Sequence, residues 1–284
     1  MNTIALILVI LLAFYFGVLA LLYATQRKIV FAADATRADL MAAGLAEQMT
    51  EVTIEPEPGL KLVSWWAPAV RPDRRVIAYF HGNAGHHGSR ADRIPDYLAA
   101  GYGVLLIGYR GYGGNPGQPT EQGLYADARA NLAFLARENV RPHEIVLFGE
   151  SLGTAVAIQM ATEFPALALV LEAPLASILL SARARYPLFA FGPLVKDKFA
   201  SIDKIAKVKM PVLVLHGELD RVTAVKFGRM IFAAANDPKH GIFPPSAGHT
   251  DLMEHGMAKE VLAFLDRLPS VPASFVEAGD RSSA

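Results

Sequence analysis

A serine at the centre of residues 149–153, Gly-Glu-Ser-Leu-Gly, follows the apolar run 144–148. This pattern is typical of a sharp turn from a strand into a helix, in which small residues on both sides of the serine let the two elements approach. Residues 154–163 are mostly apolar and compatible with a helix. The hydroxyl of Ser151 would then lie at a helix N-terminus, where backbone N–H groups and the helix dipole favour negative charge. The pattern predicts a nucleophilic serine.

A nucleophilic serine needs a base within hydrogen-bond reach and an acid that orients this base and stabilises its cation. Asp220 follows the apolar run 212–215, and His249 follows a predicted strand near 241–243. The chain order serine, aspartate, histidine, with each residue after a strand, is the order of α/β-hydrolases. We therefore predict Ser151, Asp220 and His249 as the catalytic residues.

Other titratable residues lie near predicted strand ends. Glu172 also follows a strand and is the alternative acid, whereas Asp251 is expected to cap the last helix. His216 and His240 are expected to be strand-end or surface histidines. The histidines lack the accompanying carboxylate pattern of a metal site, so no metal and no cofactor are predicted.

Backbone N–H donors must stabilise the oxyanion that forms when the serine attacks a carbonyl. Residues 81–85, His-Gly-Asn-Ala-Gly, follow a strand that ends at Phe80. This is where a hydrolase places its first donor. We assign the oxyanion hole to the N–H groups of Asn83 and Leu152, and we expect His81 to orient or pack against neighbouring groups.

Short apolar runs alternate with helix-compatible stretches along the chain, which indicates a mostly parallel sheet with helices on both faces. A hairpin of two strands joined by a turn rich in proline and glycine opens the sheet. In such folds, ligands bind beyond the carboxyl ends of the strands, where the predicted catalytic residues lie. The predicted strands are 52–54, 60–66, 75–80, 104–109, 144–148, 168–171, 212–215 and 241–243, and the predicted helices are 89–100, 120–138, 154–163, 222–235 and 250–268.

Composition excludes several other classes of protein. The chain has 284 residues, 27 basic and 27 acidic side chains, and no cysteine. The balanced charge offers no basic surface for nucleic acid, so no nucleic-acid partner is predicted. The absence of cysteine excludes disulfides, thiolate metal sites and thiol catalysis.

Residues 4–24 contain no charged side chain and are dominated by apolar residues. As a helix this run would be roughly 30 Å long, which matches the hydrocarbon core of a bilayer. We predict an uncleaved transmembrane anchor at residues 1–28. A cleaved signal peptide is the alternative, but the first three residues carry no basic side chain. Arg27, Lys28 and Arg37 follow the apolar run, so the positive-inside rule places the remaining chain in the cytoplasm.

The rest of the chain divides into a connector at residues 29–50, a catalytic domain at 51–268 and a tail at 269–284. The connector mixes small, apolar and charged residues and is expected to run along the membrane or the domain. The tail is rich in serine, alanine and charge, which predicts disorder.

An insertion at residues 175–209 carries apolar and aromatic side chains next to Arg183, Arg185, Lys196 and Lys198. We interpret it as a short lid, whose apolar side chains would suit an acyl chain and whose basic residues would suit anionic head groups. Packing of these aromatic side chains on the core is the alternative. The predicted substrate contacts are Tyr112, Tyr186, Phe189 and Phe191.

Five motifs together resemble the membrane-anchored α/β-hydrolase-domain proteins, a group related to prolyl-oligopeptidase-like hydrolases. The resemblance covers roughly residues 50–268, and it departs from the group at Asn115, Ala224 and Thr250. It implies an α/β-hydrolase fold, in agreement with the mostly parallel sheet that the strand and helix pattern predicts. It also implies a serine hydrolase, since relatives in this group remove palmitate from proteins or cleave lipids. The motifs are 81–85, 109–113 with Gly117 and Pro119, 149–153, 216–220 and 248–249.

The leading hypothesis is hydrolysis of an ester or thioester with an apolar acyl group, in a lipid or another acylated substrate, through an acyl-Ser151 intermediate. Two alternatives remain. The first is a peptidase or amidase, which the prolyl-oligopeptidase-like kinship suggests. The second is a membrane-tethered binding protein without catalysis, because a fold does not by itself imply a function.

Overall fold

One sheet of eight strands runs through the part of the chain that the computed structural model describes, which is residues 3–73, 75–187 and 192–269. The strand order is β1-β2-β4-β3-β5-β6-β7-β8. β1 and β2 form an antiparallel hairpin, β2 pairs antiparallel with β4, and all other pairs are parallel. The strands are β1 (Thr50–Glu57), β2 (Leu60–Ala67), β3 (Val76–Phe80), β4 (Gly103–Leu106), β5 (Ile145–Glu150), β6 (Ala168–Glu172), β7 (Val212–Leu215) and β8 (Lys239–Ile242).

Helices cover both faces of this sheet. The helices are α1 (Thr3–Val30), α2 (Pro95–Ala99), α3 (Glu121–Arg137), α4 (Leu152–Glu163), α5 (Ile178–Arg185), α6 (Val225–Ala234) and α7 (Met257–Asp266). Helices α3, α4 and α6 pack on one face, and α2 and α7 pack on the other. The predicted α/β-hydrolase fold, with its opening hairpin and mostly parallel sheet, is confirmed.

The central strands are mostly apolar because both of their faces are covered, and the two glutamates among them, Glu150 and Glu172, stand at carboxyl ends. Every residue of β3, β5, β6 and β7 is buried. Alternate side chains of β3 enter opposite cores: Val76, Ala78 and Phe80 on the side of α3 and α4, and Ile77 and Tyr79 on the side of α2 and α7. The carboxyl ends of these strands therefore form a rigid edge on which loops can hold reactive groups.

Two predicted helices differ most from the structure. The predicted helix 89–100 is a 3-10 helix, His87–Arg93, followed by the five-residue α2. Pro95 has no N–H to donate, which makes it a first residue of a helix rather than an interior one. The predicted helix 250–268 begins only at Met257, after Gly256 in a left-handed conformation (φ 79).

Helix α1 is a 28-residue apolar helix, and none of its residues is buried within the protein. Among the described residues it is the one helix long and apolar enough to cross a membrane, with a mean hydropathy of 3.0 over an 18-residue window. An apolar N-terminal helix of this length and composition is common to membrane anchors and signal sequences.

The chain after α1 packs on the loops that follow β3 and β4. Phe31, Leu45 and Met49 are buried. The backbone of Asp34 accepts a hydrogen bond from the N–H of Gly113 at 2.7 Å and donates one to the carbonyl of Gly85 at 3.1 Å. The connector thus runs along the folded domain, one of the two courses expected from the sequence.

Candidate active site

Ser151 lies between the last residue of β5 and the first residue of α4, with φ 49 and ψ −115. A positive φ is strained for any residue other than glycine, and such strain persists only where the surroundings enforce it. The Ser151 N–H donates to the carbonyl of Glu172 in β6 at 2.8 Å. At Gly153, a Cβ would lie 2.0 Å from the carbonyl oxygen of Phe80. The second glycine of the motif is therefore required for α4 to approach β3.

Asp220 and His249 lie in the loops after β7 and β8, as the sequence predicts, and they contact each other. His249 Nδ1 is 2.6 Å from Asp220 Oδ2. The other carboxylate oxygen of Asp220 accepts from the N–H groups of Val222 and Thr223, both at 2.8 Å. This contact places the imidazole proton on Nδ1, which leaves Nε2 free to accept a proton.

The Asp220 carboxylate is held in its charged form. Burial acts to raise its pKa, but hydrogen bonds with His216 and His249 and from the Thr223 N–H outweigh burial, so the pKa of Asp220 is lowered. An ionised partner is what an imidazole needs if it is to become a cation during a reaction.

His216 is a second, unpredicted partner of Asp220. It is fully buried, and its Nε2 lies 2.7 Å from the carbonyl oxygen of Thr223 and 3.1 Å from Asp220 Oδ2. Both neighbours are acceptors, so Nε2 carries the proton and donates to them. The only sequence signal was the position of His216 at the end of β7, four residues before the acid.

Glu172, the alternative acid, is committed elsewhere. Its buried carboxylate accepts from Arg93 Nη1 at 2.7 and 2.9 Å. Arg93 in turn donates to the carbonyl of Thr250 at 3.4 Å. A buried carboxylate paired in this way balances the arginine charge below the site, and among the described residues it makes no hydrogen bond with His249.

Arg90 connects the serine turn to the predicted oxyanion loop. It donates two hydrogen bonds to Glu150, at 2.8 and 2.7 Å, and one to the carbonyl of Ala84 at 2.8 Å. The Tyr79 hydroxyl adds a third donor to Glu150 at 3.1 Å. Burial acts to raise the pKa of Glu150, but Arg90 and other nearby positive charges outweigh it and lower that pKa. Neither Arg90 nor Glu150 was singled out from the sequence.

The two predicted oxyanion donors, Asn83 and Leu152, line one cavity together with Ser151. Leu152 is the first residue of α4, so its N–H has no partner within the helix. Among the described residues, the backbone N–H of Asn83 makes no hydrogen bond either. The side chain of Asn83 donates to the carbonyl of Val30 at 3.2 Å.

This cavity has a volume of about 540 Å³ and is lined mainly by apolar side chains. Its walls come from α1, from α5 and residues 194–195, and from residues 221–223. The described lining includes two arginines, Arg185 and Arg221, and no carboxylate. Ser151 Oγ makes no hydrogen bond with His249 within the described chain, although such bonds are often long before a substrate binds.

The predicted substrate contacts are not all in this cavity. Tyr186 lines it and is 49% exposed. Tyr112 is fully buried and does not line it, because its ring packs against His81 at 5.2 Å and against Tyr109 at 6.0 Å. We correct its predicted role from substrate contact to packing beneath the oxyanion loop. Phe189 and Phe191 lie outside the described residues.

Within the described chain, no three or more histidine, aspartate or glutamate side chains are grouped so that they could hold a metal ion. The predicted site residues that the structure brings together are thus Asp220 with His249, and Ser151 with Asn83, Leu152 and Tyr186.

Comparisons with known proteins agree with this architecture. The family described as "Serine aminopeptidase, S33" matches residues 71–202. The protein Rv2307c of Mycobacterium tuberculosis is 36% identical over 241 residues, which span 83% of this chain and 84% of that protein. Human alpha/beta hydrolase domain-containing protein 17B is 32% identical over 196 residues, spanning 66% of this chain and 64% of that protein.

Solved structures show the same fold at low sequence identity. An alpha-beta hydrolase from Vibrio vulnificus superposes with a TM-score of 0.69 and 19% identity, covering 84% of this chain and 91% of that one. The esterase Pf2001 of Pyrococcus furiosus superposes with a TM-score of 0.67 and 19% identity, covering 83% of this chain and 96% of that one.

Proposed function

Because the chain belongs to the α/β-hydrolase family, we propose that it is a serine hydrolase that cleaves a carboxylic ester or thioester through an acyl-Ser151 intermediate. The observation that carries this proposal is the contact of His249 Nδ1 with Asp220 Oδ2 at 2.6 Å, at the same sheet edge as the strained turn of Ser151.

In the proposed reaction, Ser151 Oγ attacks the carbonyl carbon while His249 Nε2 accepts the hydroxyl proton. The ionised Asp220 stabilises the resulting imidazolium. The N–H groups of Asn83 and Leu152 donate to the oxyanion of the tetrahedral intermediate. Cleavage of the bond to the leaving group yields the acyl-serine, and the leaving alcohol or thiol takes the proton from His249. Water then attacks the acyl-serine by the same steps and releases the acid.

The mainly apolar cavity next to Ser151 supports an apolar acyl group. We propose that residues 175–209 form the lid over it, since α5, Tyr186, Leu194 and Val195 line the cavity. The membrane would be reached through α1, which carries Arg27 and Lys28 in its last turn. By the positive-inside rule, the catalytic domain would lie in the cytoplasm.

A peptidase is the second candidate, because the matching family is described as a serine aminopeptidase. An aminopeptidase must bind the positive N-terminal ammonium of its substrate, which favours a carboxylate in the site. Among the described residues, the cavity lining supplies two arginines and no carboxylate. This charge favours an ester or thioester substrate over a peptide.

A fluorophosphonate probe tests the nucleophile, because it forms a covalent bond only with an activated serine. We expect the full chain in detergent to be labelled and Ser151→Ala not to be labelled. Ser181→Ala is the matched control, since Ser181 lines the same cavity without lying at the turn. Labelling of Ser151→Ala equal to that of the unsubstituted protein would rule out Ser151, and a folded full chain that takes no label would favour the binding protein without catalysis.

The bond that is cleaved requires a second measurement. We expect hydrolysis of p-nitrophenyl decanoate and of decanoyl thioesters, with little release from aminoacyl p-nitroanilides. A faster reaction with the anilides would instead support the peptidase.

A further inference from the structure

One face of α1 forms part of the wall of the cavity that contains Ser151. Leu19, Leu22, Tyr23 and Gln26 all line this cavity. Their spacing of three, four and seven residues places them on a single side of the helix. Leu21 lies between them in sequence, is 62% exposed and does not line the cavity. The apolar helix therefore contributes a defined surface to the candidate active site.

Specific polar contacts fix the C-terminal end of α1 against the catalytic domain. The Gln26 amide donates to the carbonyl of Leu194 at 3.0 Å and accepts from the N–H of Lys196 at 2.8 Å. Arg27 Nε lies 2.8 Å from Asp197 Oδ2. These contacts give α1 one orientation, so the same face of the helix is held towards the cavity.

The cavity connects the catalytic serine to the apolar stretch of α1. Ser151 lines this cavity together with Val30, Leu22 and Leu19 of α1. The axial distance from Val30 to Leu19 is roughly 16 Å for an α-helix. A chain of methylene groups is the ligand whose shape and polarity fit such a strip.

We propose that this face of α1 is the acyl-binding wall of the active site, and that the acyl chain of a membrane-embedded substrate lies along Leu22 and Leu19 with its carbonyl carbon at Ser151. The proposal rests on the proposed function. It assigns α1 a part in substrate selection in addition to anchoring, because the helix that would lie among lipid chains is also the helix that lines the site.

Two tryptophan variants of the full chain in lipid nanodiscs test this wall. Leu22→Trp places bulk in the cavity, and Leu21→Trp places the same bulk on the other side of the helix. For each variant, kcat/KM is measured with p-nitrophenyl acetate and p-nitrophenyl decanoate. We expect Leu22→Trp to lower the decanoate-to-acetate ratio by about tenfold, which corresponds to about 1.4 kcal/mol of lost acyl binding. We expect Leu21→Trp to keep the original ratio.

Labelling by a short-chain fluorophosphonate separates the possible failures. If Leu22→Trp is labelled at the original rate and keeps the original ratio, the acyl wall is wrong while the serine hydrolase stands. If the unsubstituted full chain neither takes the label nor hydrolyses either ester, the proposed function fails and the acyl wall fails with it. If Leu22→Trp does not fold, Leu22→Ala replaces it, and an unchanged ratio in that variant overturns the acyl wall.

A covalent phosphonate with a brominated alkyl chain gives a direct measurement of where the chain lies. The covalent bond to Ser151 keeps the alkyl chain in the cavity even where the added bulk weakens its binding, so its bromine atoms should quench the added indole of Leu22→Trp more than that of Leu21→Trp. The buried Trp65 and Trp66 give the same background in both variants. Equal quenching in the two variants would overturn the proposed course of the chain.

Discussion

At the scale of single residues, His87 is a buried histidine without a polar partner beside the candidate oxyanion loop. Its ring is fully buried and meets the ring of Trp65 edge-on at 4.9 Å. Neither ring nitrogen has a hydrogen-bond partner within the described chain. Burial, with a smaller contribution from His86, lowers the pKa of His87 from 6.5 to about 3.

This pKa shift predicts acid sensitivity. In the unfolded chain His87 takes up a proton as pH falls below about 6.5, whereas in the folded protein it stays neutral down to about pH 3. The unfolded state binds more protons in this window, so the folded protein loses up to about 1.4 kcal/mol of stability per pH unit. His87→Phe removes the titrating ring and keeps an aromatic contact with Trp65.

We expect the melting temperature of His87→Phe to decline less than that of the unsubstituted protein between about pH 6.5 and about pH 4.5. The measurement is thermal unfolding of the full chain in detergent across this range. His240→Phe, at an exposed position of β8, is the control and should follow the unsubstituted protein. Parallel curves for His87→Phe and the unsubstituted protein would show that His87 does not limit acid stability.

The sequence could predict residues that share a motif or a strand end, but not partners that only the fold brings together. Asp220 and His249 were expected near each other because each follows a strand, and they lie 2.6 Å apart. His216 was missed because nothing local shows that its ring turns back towards Asp220. Tyr112 is buried against His81 and Tyr109 rather than in the cavity, and the sequence alone cannot tell a tyrosine in a cavity wall from one packed beneath a loop. The catalytic roles of the predicted residues stay predictions.

At the scale of elements, the site depends on how the 3-10 helix His87–Arg93 joins two neighbouring loops. Arg90, from this helix, holds Glu150 at the end of β5 and the carbonyl of Ala84 in the oxyanion loop. The guanidinium reaches both because its donors form a planar fork. A lysine keeps the charge but cannot hold both groups in this geometry.

Arg90→Lys is therefore expected to misplace the oxyanion donors relative to Ser151. A lost hydrogen bond between charged groups is worth about 1.5–3 kcal/mol, so we expect kcat to fall roughly 10- to 100-fold with a smaller change in KM. Ester hydrolysis by the purified full chain measures both parameters.

Arg129 offers a matched control. It donates two hydrogen bonds to one glutamate, as Arg90 does to Glu150, and its bonds to Glu163 are both 2.7 Å long, but this pair lies on the surface between α3 and α4. Arg129→Lys should leave kcat unchanged. If Arg90→Lys has the same kcat as Arg129→Lys and is labelled by the fluorophosphonate at the original rate, Arg90 does not position the oxyanion donors.

The elements themselves were predicted well where one physical rule dominates. Strands buried on both faces read as continuous apolar runs, so β3, β5, β6 and β7 were found close to their observed bounds. The stretch 87–99 was predicted as one helix because its composition suits a helix, yet Pro95 divides it. The resulting 3-10 helix carries Arg90 and Arg93. Because the sequence does not predict this break before Pro95, it also does not predict the roles of these two arginines.

At the scale of the whole molecule, the chain joins a hydrolase fold to an apolar helix that also lines the cavity containing Ser151. The sequence predicted α1 from its uncharged run of residues. It could not predict the attachment of α1, because Gln26, Arg27 and Asn83 find their partners through contacts that are distant in sequence. The sequence of an apolar helix also does not show whether one face of the helix lines a cavity or all of its faces contact lipid.

Removal of α1 tests the anchor and its role in the site together. Helix α1 contributes no buried residue, and the first buried apolar side chain after it is Phe31. We therefore expect residues 31–284 to fold, to leave the membrane fraction and to keep fluorophosphonate labelling and acetate hydrolysis. The preference for decanoate should decline, because the wall formed by Leu19 and Leu22 is gone.

Membrane fractionation with a carbonate wash, followed by the two ester assays, measures these outcomes against the full chain with the same tag. N-terminal sequencing of the full chain from membranes distinguishes an uncleaved anchor from a signal peptide, since a cleaved product would begin after the apolar run. Retention of residues 31–284 on washed membranes would show that another surface holds the protein there. An unchanged preference for decanoate in the released fragment would place the acyl chain away from α1, against the remaining walls formed by α5 and residues 221–223.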